Sequence, residues 1–373
     1  SAILGSSRVG LITNPTGVTG EIISTIEAFY RHPEIDLVAL YGPEHGVRGD
    51  LQDGISEKHY RDPATGLPVC SLYGVAEKPS AEMLEGVEAL VFDIQDVGVR
   101  FYTYISTLKY ALEAAAEQGI PFIVLDRPNP IKGDSIEGNI PDQRFASFVC
   151  SYPIPIRHGM TVGELAQFIN SGVRASLQVL KMEGWRRGMW FDETCLPWVQ
   201  PSPNIPTLET ATVYPGTCFF EGTNISEGRG TTRPFEYLGA PWIDGAKWAE
   251  ELNNLGLSGV LFRSCYFTPT FSKFTDERCS GVQVHVLNRD IYKPVRTALY
   301  MISSAYNLWS EAFEWRSVKG AKQSYYFDLL AGTDSVRRAI TRGVSIDEIV
   351  ESWQDDLESF IRQGNRYLLY GER

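Results

Sequence analysis

The stretch Ala89-Leu-Val-Phe-Asp-Ile94 decides the fold of this 373-residue chain. It is a short apolar run, which is typical of a strand that is buried on both faces of a sheet. Residues 104–118 follow with apolar side chains on one helical stripe, and Pro121-Phe-Ile-Val-Leu125 forms a second apolar strand. A strand, a helix and another strand make a βαβ unit, so the sequence predicts a parallel sheet with helices on both faces.

The chain before this unit repeats the same alternation. Strands are predicted at 9–13, 37–41 and 69–73, and helices at about 21–30 and after Ser80. This half is therefore predicted to be a Rossmann-like domain. Its first strand runs into an Asn-Pro-Thr-Gly turn, which matches neither G-x-G-x-x-G nor G-x-x-x-x-G-K-[ST], so binding of a nucleotide or dinucleotide is disfavoured.

The second half has a different pattern. Thr161-Val-Gly-Glu164 is a capping-box pattern that begins a short helix, and residues 185–245 are rich in Pro, Gly, Asn and Trp with little helical periodicity. Two apolar strands and a C-terminal helix that begins at Ser345-x-x-Glu348 complete it. We predict an α/β protein with a Rossmann-like domain over 1–154 and a smaller α/β or α+β domain over 155–373, with the active site in the cleft between them.

Composition narrows the classes of function. The net charge of −12 and the pI near 5.0 argue against nucleic acid as a partner, because phosphate binding needs clustered Lys and Arg. No apolar run reaches the roughly 18 residues of a membrane span. The six cysteines are scattered without a C-x-x-C pair, which excludes a zinc ribbon and leaves one or two disulfides open. Neither H-E-x-x-H nor G-x-S-x-G occurs, so no metal, no cofactor and no serine-hydrolase mechanism is predicted.

The segment Leu40-Tyr-Gly-Pro-Glu-His-Gly-Val-Arg-Gly-Asp50 carries the densest chemistry of the first half. It begins where a predicted strand ends, and it places a carboxylate, an imidazole and a guanidinium among glycines, in Glu44, His45 and Arg48. Glycines let the backbone approach a ligand closely, and open α/β sheets bind ligands beyond the carboxyl ends of their strands. We predict that this loop borders an active site.

Polar clusters follow other predicted strand ends and loops in the same way. The further candidate site residues are Asp93, Gln95, Asp96, Arg100, Tyr102, Asn129, His158, Asn204, Asn224, Glu227 and Arg229. Structural roles are an alternative for several of them: Asp93 as a helix cap or loop brace, His158 as a buried structural histidine, and 221–231 as a solvated loop. The excess of carboxylates, amides and arginines on loops suits acid/base chemistry on a polyhydroxylated substrate.

Several of these motifs, taken in order, resemble the exo-β-N-acetylmuramidases of the NamZ type. The motifs are Leu11-Ile-Thr-Asn-Pro-Thr-Gly17, Gly42-Pro-Glu-His-Gly46, Phe92-Asp-Ile-Gln-Asp96 with Arg100-Phe-Tyr-Thr-Tyr104, Asp126-Arg-Pro-Asn-Pro130, Pro201-Ser-Pro-Asn204, and Glu221-Gly-Thr-Asn224 with Ser226-Glu-Gly-Arg-Gly230. The resemblance covers at least residues 9–242. Several motifs in one order are far more specific than any one of them alone.

The resemblance implies an exported bacterial enzyme, periplasmic or extracellular, that takes part in peptidoglycan turnover. Such enzymes release N-acetylmuramic acid from the non-reducing end of muramyl saccharides by cleaving a β-1,4 bond. Glu44 matches the proposed catalytic acid/base of the family. His45 would then orient Glu44 or bind a sugar hydroxyl, and Arg48, Arg100 and Arg229 are candidates for recognising the lactyl carboxylate of the sugar. The resemblance identifies no partner protein.

The second catalytic group stays open at this point. Asp93, Asp96 and Glu227 qualify by residue type, and the 2-acetamido group of the substrate is an alternative nucleophile that Asp93 would orient. A carboxyl separation of ~5 Å favours a retaining pair, and one of ~6.5–9.5 Å an inverting pair. Two other classes also stay open: a non-catalytic protein that binds cell-wall saccharides, and a metal-dependent hydrolase of a cell-wall amide or ester.

Overall fold

The computed structural model describes residues 4–51, 59–74, 76–318 and 324–371. Within these residues the chain packs as two compact units. The first unit takes the chain up to Ser135, then Gly159–Pro206 and the residues from Arg362 onward, and the second takes Ile136–His158 and Thr207–Ile361. Each unit is thus assembled from separate stretches of the chain. The predicted domain boundary between residues 154 and 155 stays a prediction, because compact packing does not test independent folding.

A seven-stranded sheet organises the first unit. Its strands are β1 Arg8–Thr13, β2 Asp36–Gly42, β3 Tyr60–Arg61, β4 Pro68–Ser71, β5 Ala89–Asp93, β6 Phe122–Leu125 and β7 Leu177–Leu180. Their order is β3-β4-β2-β1-β5-β6-β7, and all neighbours pair in parallel except β3 with β4. The chain order reverses at β1, which has β2 on one side and β5 on the other. The predicted Rossmann-like parallel sheet is confirmed.

The carboxyl ends of the central strands lie along one edge of this sheet. All five residues of β5 are buried, and its last residue, Asp93, lies opposite Thr13 at the end of β1. On the other side of β1, Tyr41 of β2 lies opposite Ile12. Ligands of open α/β sheets bind at such an edge, beside the point where strand order reverses. The loops that follow β1, β2 and β5 therefore occupy the position expected for a site.

The helices of the first unit follow from local signals in the sequence. They are α1 Thr25–Tyr30, α2 Tyr104–Gln118 and α3 Val162–Val173. Gly119 ends α2 with a φ of 68°, the left-handed conformation that glycine adopts without strain. The predicted capping box begins α3: Glu164 N donates to Thr161 Oγ1, and Thr161 N donates to Glu164 Oε2.

Three expectations about helices differ from the structure. The first predicted helix begins only at Thr25, because Ser24 is its N-cap and accepts a hydrogen bond from Ile26 N. The predicted helix after Ser80 is a run of turns over 81–86. A helix also lies within the segment 185–245, where the sequence has little helical periodicity, since Pro215 interrupts its pattern.

The second unit combines a small antiparallel sheet with helices. Its helices are α4 Leu208–Thr217, α5 Gly245–Asn254, α6 Pro294–Leu308, α7 Tyr326–Ala331, α8 Ser335–Thr341, α9 Ile346–Glu351 and α10 Gln354–Gly364, the last residues of which belong to the first unit. Its strands, β8 Tyr237–Ala240, β9 Val260–Phe267 and β10 Cys279–Val286, lie in the order β8-β10-β9. Short 3-10 helices lie at Gln143–Phe145 and Cys218–Gly222 in this unit, and at Phe191–Thr194 and Asn365–Tyr367 in the first unit. The predicted smaller second domain of mixed structure is confirmed.

The C-terminal helix of the sequence prediction is divided in two. Ser345 caps α9 as predicted, by accepting a hydrogen bond from Glu348 N. The helix ends at Glu351, and α10 begins at Gln354. The apolar stripe still faces inward across this break, since Ile349, Trp353 and Leu357 are all buried.

Candidate active site

The turn that carries Glu44 follows directly after β2. Gly46 N donates to Pro43 O across 2.9 Å, and His45 and Gly46 adopt φ angles of 71° and 75°. A positive φ costs a residue with a Cβ about 1–3 kcal/mol, so the surrounding structure has to hold His45 in this conformation. Both Glu44 and His45 are buried. The turn therefore sets the direction in which Glu44 leaves the end of the strand.

Thr103 holds the carboxylate of Glu44. Its Oγ1 donates to Glu44 Oε2 across 2.7 Å. Thr103 is the N-cap residue of α2, yet its hydroxyl makes no capping hydrogen bond. The next residue, Tyr104, is buried; burial raises the pKa of its phenol, and the charge of Glu44 raises it further. The end of β2 and the start of α2 thus meet at Glu44.

His45 is oriented by the backbone. Its Nδ1 lies 2.8 Å from the carbonyl oxygen of Leu51. Because a carbonyl oxygen can only accept, Nδ1 carries the proton, and Nε2 is the acceptor in the neutral ring. This hydrogen bond fixes the orientation of the His45 ring, which follows Glu44 directly in the chain. The predicted role of His45 in orienting Glu44 or binding a sugar hydroxyl stays a prediction.

Asp93 ends β5 with both carboxylate oxygens engaged by protein. Oδ1 accepts from Arg127 Nε across 2.6 Å, and Oδ2 accepts from Thr25 Oγ1 across 2.5 Å. Arg127 also donates to Val18 O. These bonds brace the loops after β1 and β6, which is one of the structural roles that the sequence left open for Asp93. Its catalytic role stays a prediction.

The other polar residues after β5 are buried within the strand-end loops. Gln95 Nε2 donates to the carbonyl oxygens of Asp96 and Pro128, each across 2.7 Å. The side chain of Asp96 accepts from Gly98 N across 2.6 Å, and Arg100 is buried as well. The backbone contacts of Gln95 and Asp96 hold this loop in shape. The predicted substrate contacts of these three residues are not tested by such bonds.

Tyr104 connects the start of α2 to the loop 201–204. Tyr104 OH donates to Pro201 O, and the rings of Tyr102 and Tyr104 pack edge to face with their centroids 4.7 Å apart. Asn204, at the end of this loop, is buried, and its Nδ2 has no hydrogen-bond partner among the residues that the structure describes. A buried amide whose donor the protein leaves unused is suited to contact a ligand.

Both polar atoms of the Asn129 amide form hydrogen bonds with backbone groups. Nδ2 donates to Met160 O across 3.0 Å, and Oδ1 accepts from Ile131 N across 3.1 Å. The side chain also lies against Gly98, where an added Cβ would approach Asn129 Oδ1 to 2.5 Å. Asn129 therefore shapes the loop after β6. Its predicted contact with substrate stays a prediction.

Arg48 is paired with Asp62. Its Nε and Nη2 both donate to Asp62 Oδ1, across 3.0 and 2.6 Å. Burial raises the pKa of Asp62, but the hydrogen bonds from Arg48 and Thr65 outweigh burial and hold that pKa below its usual value. Because the guanidinium already binds one carboxylate, Arg48 would have to exchange partners to bind the lactyl group.

The second unit holds the remaining predicted residues, among them His158 and Asn224. His158 is fully buried. Asn224 Nδ2 donates to Ala312 O across 2.8 Å, and its Oδ1 accepts from Glu314 N across 2.9 Å. The amide of Asn224 thus joins its loop to the segment after α6. Whether either residue contacts substrate stays a prediction.

Glu227 lies between two cations in the second unit. Lys273 Nζ is 2.8 Å from Oε2, and Arg229 Nε is 3.5 Å from Oε1. Burial raises the pKa of Glu227, but the charges of Lys273 and Arg229 outweigh burial and hold that pKa below its usual value. Arg229 also binds Glu221 across 2.7 Å. A carboxylate held as an anion in this way is poorly suited to donate a proton.

Lys273 is a residue that the sequence reasoning missed. Besides Glu227, its Nζ donates to Phe220 O and Ile225 O, across 2.7 and 2.8 Å. An ammonium has three donors, and all three are used here. Burial lowers the pKa of Lys273, and the charge of Glu227 partly offsets this. Lys273 thereby ties the loop 220–227 together. Its neighbours in sequence form no pattern that indicates this role.

The structure thus sorts the predicted site residues into two groups. In the first unit lie Glu44, His45, Arg48, Asp93, Gln95, Asp96, Arg100, Tyr102, Asn129 and Asn204, and in the second lie His158, Asn224, Glu227 and Arg229. Within the first unit, Thr103, Tyr104 and the 201–204 loop link the surroundings of Glu44 to Asn204. Thr103 stands inside a motif quoted from the sequence, yet hydroxyls are too common there to single it out.

The second unit also contains a groove of about 570 Å³, between the start of α4 and the end of β10. Glu209, Glu236 and His285 are among its lining residues, and none of the predicted site residues is. In the described ranges, no three His, Cys, Asp or Glu side chains are grouped so as to hold a metal ion. No helix in that part of the chain is long and apolar enough to cross a membrane.

Family profiles and a close relative cover nearly the whole chain. The profile described as exo-beta-N-acetylmuramidase NamZ, N-terminal, matches residues 9–209, and the corresponding C-terminal profile matches residues 212–370. A protein of Bacillus subtilis (strain 168), named peptidoglycan beta-N-acetylmuramidase NamZ, is 52% identical over 369 residues, which are 98% of this chain and 88% of that protein.

Two crystal structures of DUF1343 family proteins from Bacteroides fragilis have the same fold. The first has a TM-score of 0.90 and 39% identity, and the alignment covers 99% of this chain and 96% of that one. The second has a TM-score of 0.79 and 32% identity, with 100% and 96% covered. The resemblance that the sequence motifs indicated is confirmed. This chain belongs to the family of NamZ-type exo-β-N-acetylmuramidases.

Proposed function

We propose that this chain is an exo-acting β-N-acetylmuramidase that releases N-acetylmuramic acid from the non-reducing end of peptidoglycan fragments, with Glu44 as its catalytic acid/base. Family membership over both halves of the chain supports the activity. One observation carries the assignment of Glu44: its buried carboxyl group stands on a strained turn at the carboxyl end of β2, hydrogen-bonded to Thr103. This is the position where a parallel sheet presents groups to a ligand.

The reaction places a simple demand on Glu44. As the bond between the anomeric carbon and the glycosidic oxygen breaks, its electron pair stays with that oxygen, which takes the proton of the Glu44 carboxyl. Water then supplies the hydroxyl of the released sugar, and its second proton restores the carboxyl. General acid/base catalysis of this kind contributes typically about 10²–10⁴-fold in rate.

Asn204 is the substrate contact that the geometry supports best in the first unit. Its buried Nδ2 donor has no partner among the described residues, and Pro201 of its loop accepts a hydrogen bond from Tyr104 at the start of α2. An amide donor of this kind suits a hydroxyl or acetamido oxygen of the sugar. A site that holds such a donor loses affinity for ligands that lack the matching acceptor.

The test uses a chromogenic β-N-acetylmuraminide and the matching β-N-acetylglucosaminide. We expect release from the muraminide alone, and loss of that release in Glu44→Gln while a muramyl saccharide still binds in calorimetry. Glu85→Gln, an exposed glutamate, is the matched control and should retain full activity. Release from the glucosaminide instead would overturn the muramic specificity. Turnover by Glu44→Gln would overturn the catalytic assignment, and binding without turnover in the unaltered chain would indicate a saccharide-binding protein.

We also propose that the enzyme is exported, since peptidoglycan lies outside the cytoplasmic membrane. Fractionation of cells that produce the natural full-length protein tests this: activity should be found in the periplasm or the medium. Activity confined to the cytoplasmic fraction would contradict export and would leave the muramidase assignment untouched.

A further inference from the structure

We propose that the groove between α4 and β10 in the second unit is a binding site for a stem peptide of peptidoglycan, which adds to the edge of β10 as a short strand. The identity of this ligand rests on the proposed function, because an enzyme of peptidoglycan turnover meets a glycan that carries short peptides. The inference gives a role to a region in which none of the candidate site residues lies.

The strand β10 extends beyond its neighbour β8. The ladder between the two strands covers residues 280–283 of β10, whereas β10 continues to Val286. Just after the ladder, Val284 N donates to Glu236 O across 2.9 Å. Past that bond, β10 lines the groove on this side. In the described part of the chain, the end of β10 is thus paired as a strand only with β9.

The register of the sheet directs the backbone of Val286 to this open side. In an antiparallel ladder, alternate residues turn their N–H and C=O groups to opposite neighbours. Val284 donates toward β8, and Phe262, which lies opposite it on β9, exchanges hydrogen bonds with the side chain of Asn253 instead of with β10. Val286 follows two residues later, so its N–H and C=O point to the groove. Outside the ladders, Val286 forms no hydrogen bond with any described residue.

An open strand edge beside a groove is suited to bind a peptide. Peptides that add to a sheet as a strand are held by such main-chain groups, while pockets beside the edge select their side chains. The volume of about 570 Å³ is typical of ligand sites. None of the described residues that line the groove is aromatic, so the groove lacks the flat apolar surface on which a sugar ring could pack. The lining therefore favours a peptide over a saccharide.

The open edge is short, which limits the length of the peptide. From Val284 to Val286 the strand spans ~10 Å at ~3.3 Å per residue. Pairing cannot continue at either end, because β8 occupies the edge before Val284, and Leu287 N donates to Gly259 O on the side of β9. The edge thus matches a peptide of about three to five residues, which is the length of a stem peptide, and not a long strand of a partner protein.

The charges of the groove suit a peptide that carries groups of both signs. The charged or titratable side chains of its lining are Glu209, Arg233, Glu236, His285 and Arg289. Glu209 is exposed and forms no ion pair with the described residues, so its carboxylate can bind an ammonium group. Arg233 is 46% exposed and binds Glu236 through Nη1, which leaves other N–H donors of its guanidinium for a carboxylate. A stem peptide that contains lysine supplies both an ammonium and carboxylates.

The test measures binding of the tetrapeptide L-Ala-γ-D-Glu-L-Lys-D-Ala by calorimetry. We expect a Kd below about 1 mM for the unaltered protein. Val286→Pro removes the N–H that faces the groove and no bond of the β9 ladder, so it should weaken binding by about 10-fold. Glu209→Gln should weaken binding by about 3-fold, because an amide does not attract the ammonium. Glu250→Gln, at an exposed glutamate of α5, is the matched control and should bind normally.

Turnover of the chromogenic β-N-acetylmuraminide is the second readout. This substrate carries no peptide, so Val286→Pro and Glu209→Gln should cleave it at the normal rate, which also shows that they are folded. Should Val286→Pro fail to fold, methylation of each peptide N–H of the tetrapeptide in turn replaces it. At least one of the methylated peptides then has to bind about 10-fold more weakly, because a donor to the edge of β10 is lost.

A Kd above about 1 mM, or equal affinity of Val286→Pro and the unaltered protein, would overturn the inference. Tighter binding of the all-L peptide L-Ala-L-Glu-L-Lys-L-Ala would overturn it in favour of a protein segment. Loss of affinity for a peptide-free disaccharide in Val286→Pro would overturn it in favour of a saccharide site. Failure of the proposed function looks different, because the muraminide would then stay uncleaved while the tetrapeptide still binds.

Discussion

Two buried glutamates on glycine-containing loops, Glu44 and Glu227, meet different partners. Glu44 accepts a hydrogen bond from the hydroxyl of Thr103, whereas Glu227 lies between the ammonium of Lys273 and the guanidinium of Arg229. Both are carboxyls of the same residue type with glycines near them in sequence. The partners separate their roles, since a carboxylate between two cations is held as an anion, while a hydroxyl donor imposes no charge.

The difference also separates catalysis from stability. Breaking a buried ion pair by removing one partner leaves an uncompensated charge, which costs about 3–5 kcal/mol. Replacement of Glu44 by Gln keeps an oxygen that can accept the hydrogen bond of the Thr103 hydroxyl. We therefore expect substitutions at Glu44 to affect turnover and substitutions at Glu227 to affect folding. The following predictions test this contrast.

The largest effect is expected at Glu44. Glu44→Gln should lower kcat by about 10³-fold, because the amide cannot supply a proton, and should leave the melting temperature unchanged. The same measurements on Glu227→Gln should show kcat of the folded protein within about 3-fold of normal. The comparison breaks down if Glu227→Gln loses turnover to the same degree as Glu44→Gln while remaining folded, because Glu227 would then be a catalytic group.

The next effect concerns the cation pair around Glu227. Glu227→Gln should lower the free energy of unfolding by about 3 kcal/mol, because it leaves the buried ammonium of Lys273 without its carboxylate. Lys273→Met should lower it by less, because Arg229 Nε still lies 3.5 Å from Glu227. The double variant should lose less than the sum of the two, because the charges are removed together. Urea unfolding of the four proteins measures this cycle. Strict additivity would mean that the two side chains do not stabilise each other.

A third buried carboxyl, that of Asp126, is expected to make the stability of the protein depend on pH. It accepts hydrogen bonds from the hydroxyls of Thr161 and Tyr370 and from Gly163 N. Burial raises its pKa from an ordinary value of 3.8 to about 6, despite these bonds. The folded state therefore binds a proton more tightly than the unfolded state, and this contribution to stability is present below pH 3.8 and lost as pH rises through about 6.

The measurement is the difference in the free energy of unfolding between the unaltered protein and Asp126→Asn. As the pH rises from 3.8 through about 6, the unaltered protein should lose up to about 3 kcal/mol of unfolding free energy relative to Asp126→Asn, because Asn does not titrate. Asp36→Asn, at an exposed aspartate, is the control and should show no such trend. A flat difference from pH 4 to pH 8 would contradict the role of burial at Asp126.

The smallest effect is expected at Arg48. Its guanidinium binds Asp62 through two nitrogens, a geometry that lysine cannot reproduce, so Arg48→Lys should cost about 1 kcal/mol of stability. Because this guanidinium is already engaged, KM for the muraminide should change less than about 2-fold. Arg31→Lys, at an exposed arginine, serves as the control. A large rise in KM with unchanged stability would instead assign Arg48 to the lactyl carboxylate.

The parallel sheet could be predicted because its signals are local. Each signal involves residues that are close in sequence. This holds for the apolar runs of β5 and β6, for the helical stripe of α2 and for the helix caps at Thr161 and Ser345. Where the local pattern conflicts with backbone geometry, the prediction is wrong: the expected helix after Ser80 is a run of turns that includes Gly86, with a φ of 75°. The helix α4 was not predicted, because Pro215 lies within it and proline is typical of a helix break.

The residues of the site could be named, but their partners could not. The Gly-Pro-Glu-His-Gly loop and the order of the other motifs led to the family, since strand ends and glycines mark where ligands bind. Thr103 is 59 positions from Glu44, Lys273 is 46 positions from Glu227, and Arg127 is 34 positions from Asp93. No periodicity links residues so far apart. Lys273 and Thr103 therefore passed unnoticed.

The amino-acid sequence was sufficient for the alternation of strands and helices, the absence of a dinucleotide-binding turn and the family of the chain, because these depend on neighbours in sequence. Tertiary structure decided which carboxyl meets a hydroxyl and which meets a cation. That choice depends on side chains that the fold brings within about 3 Å from distant positions, and electrostatic interactions become decisive only at such distances and under burial. Glu44 and Glu227 are the same residue type in the sequence, and only their surroundings in the fold distinguish a proposed proton donor from a carboxylate held as an anion.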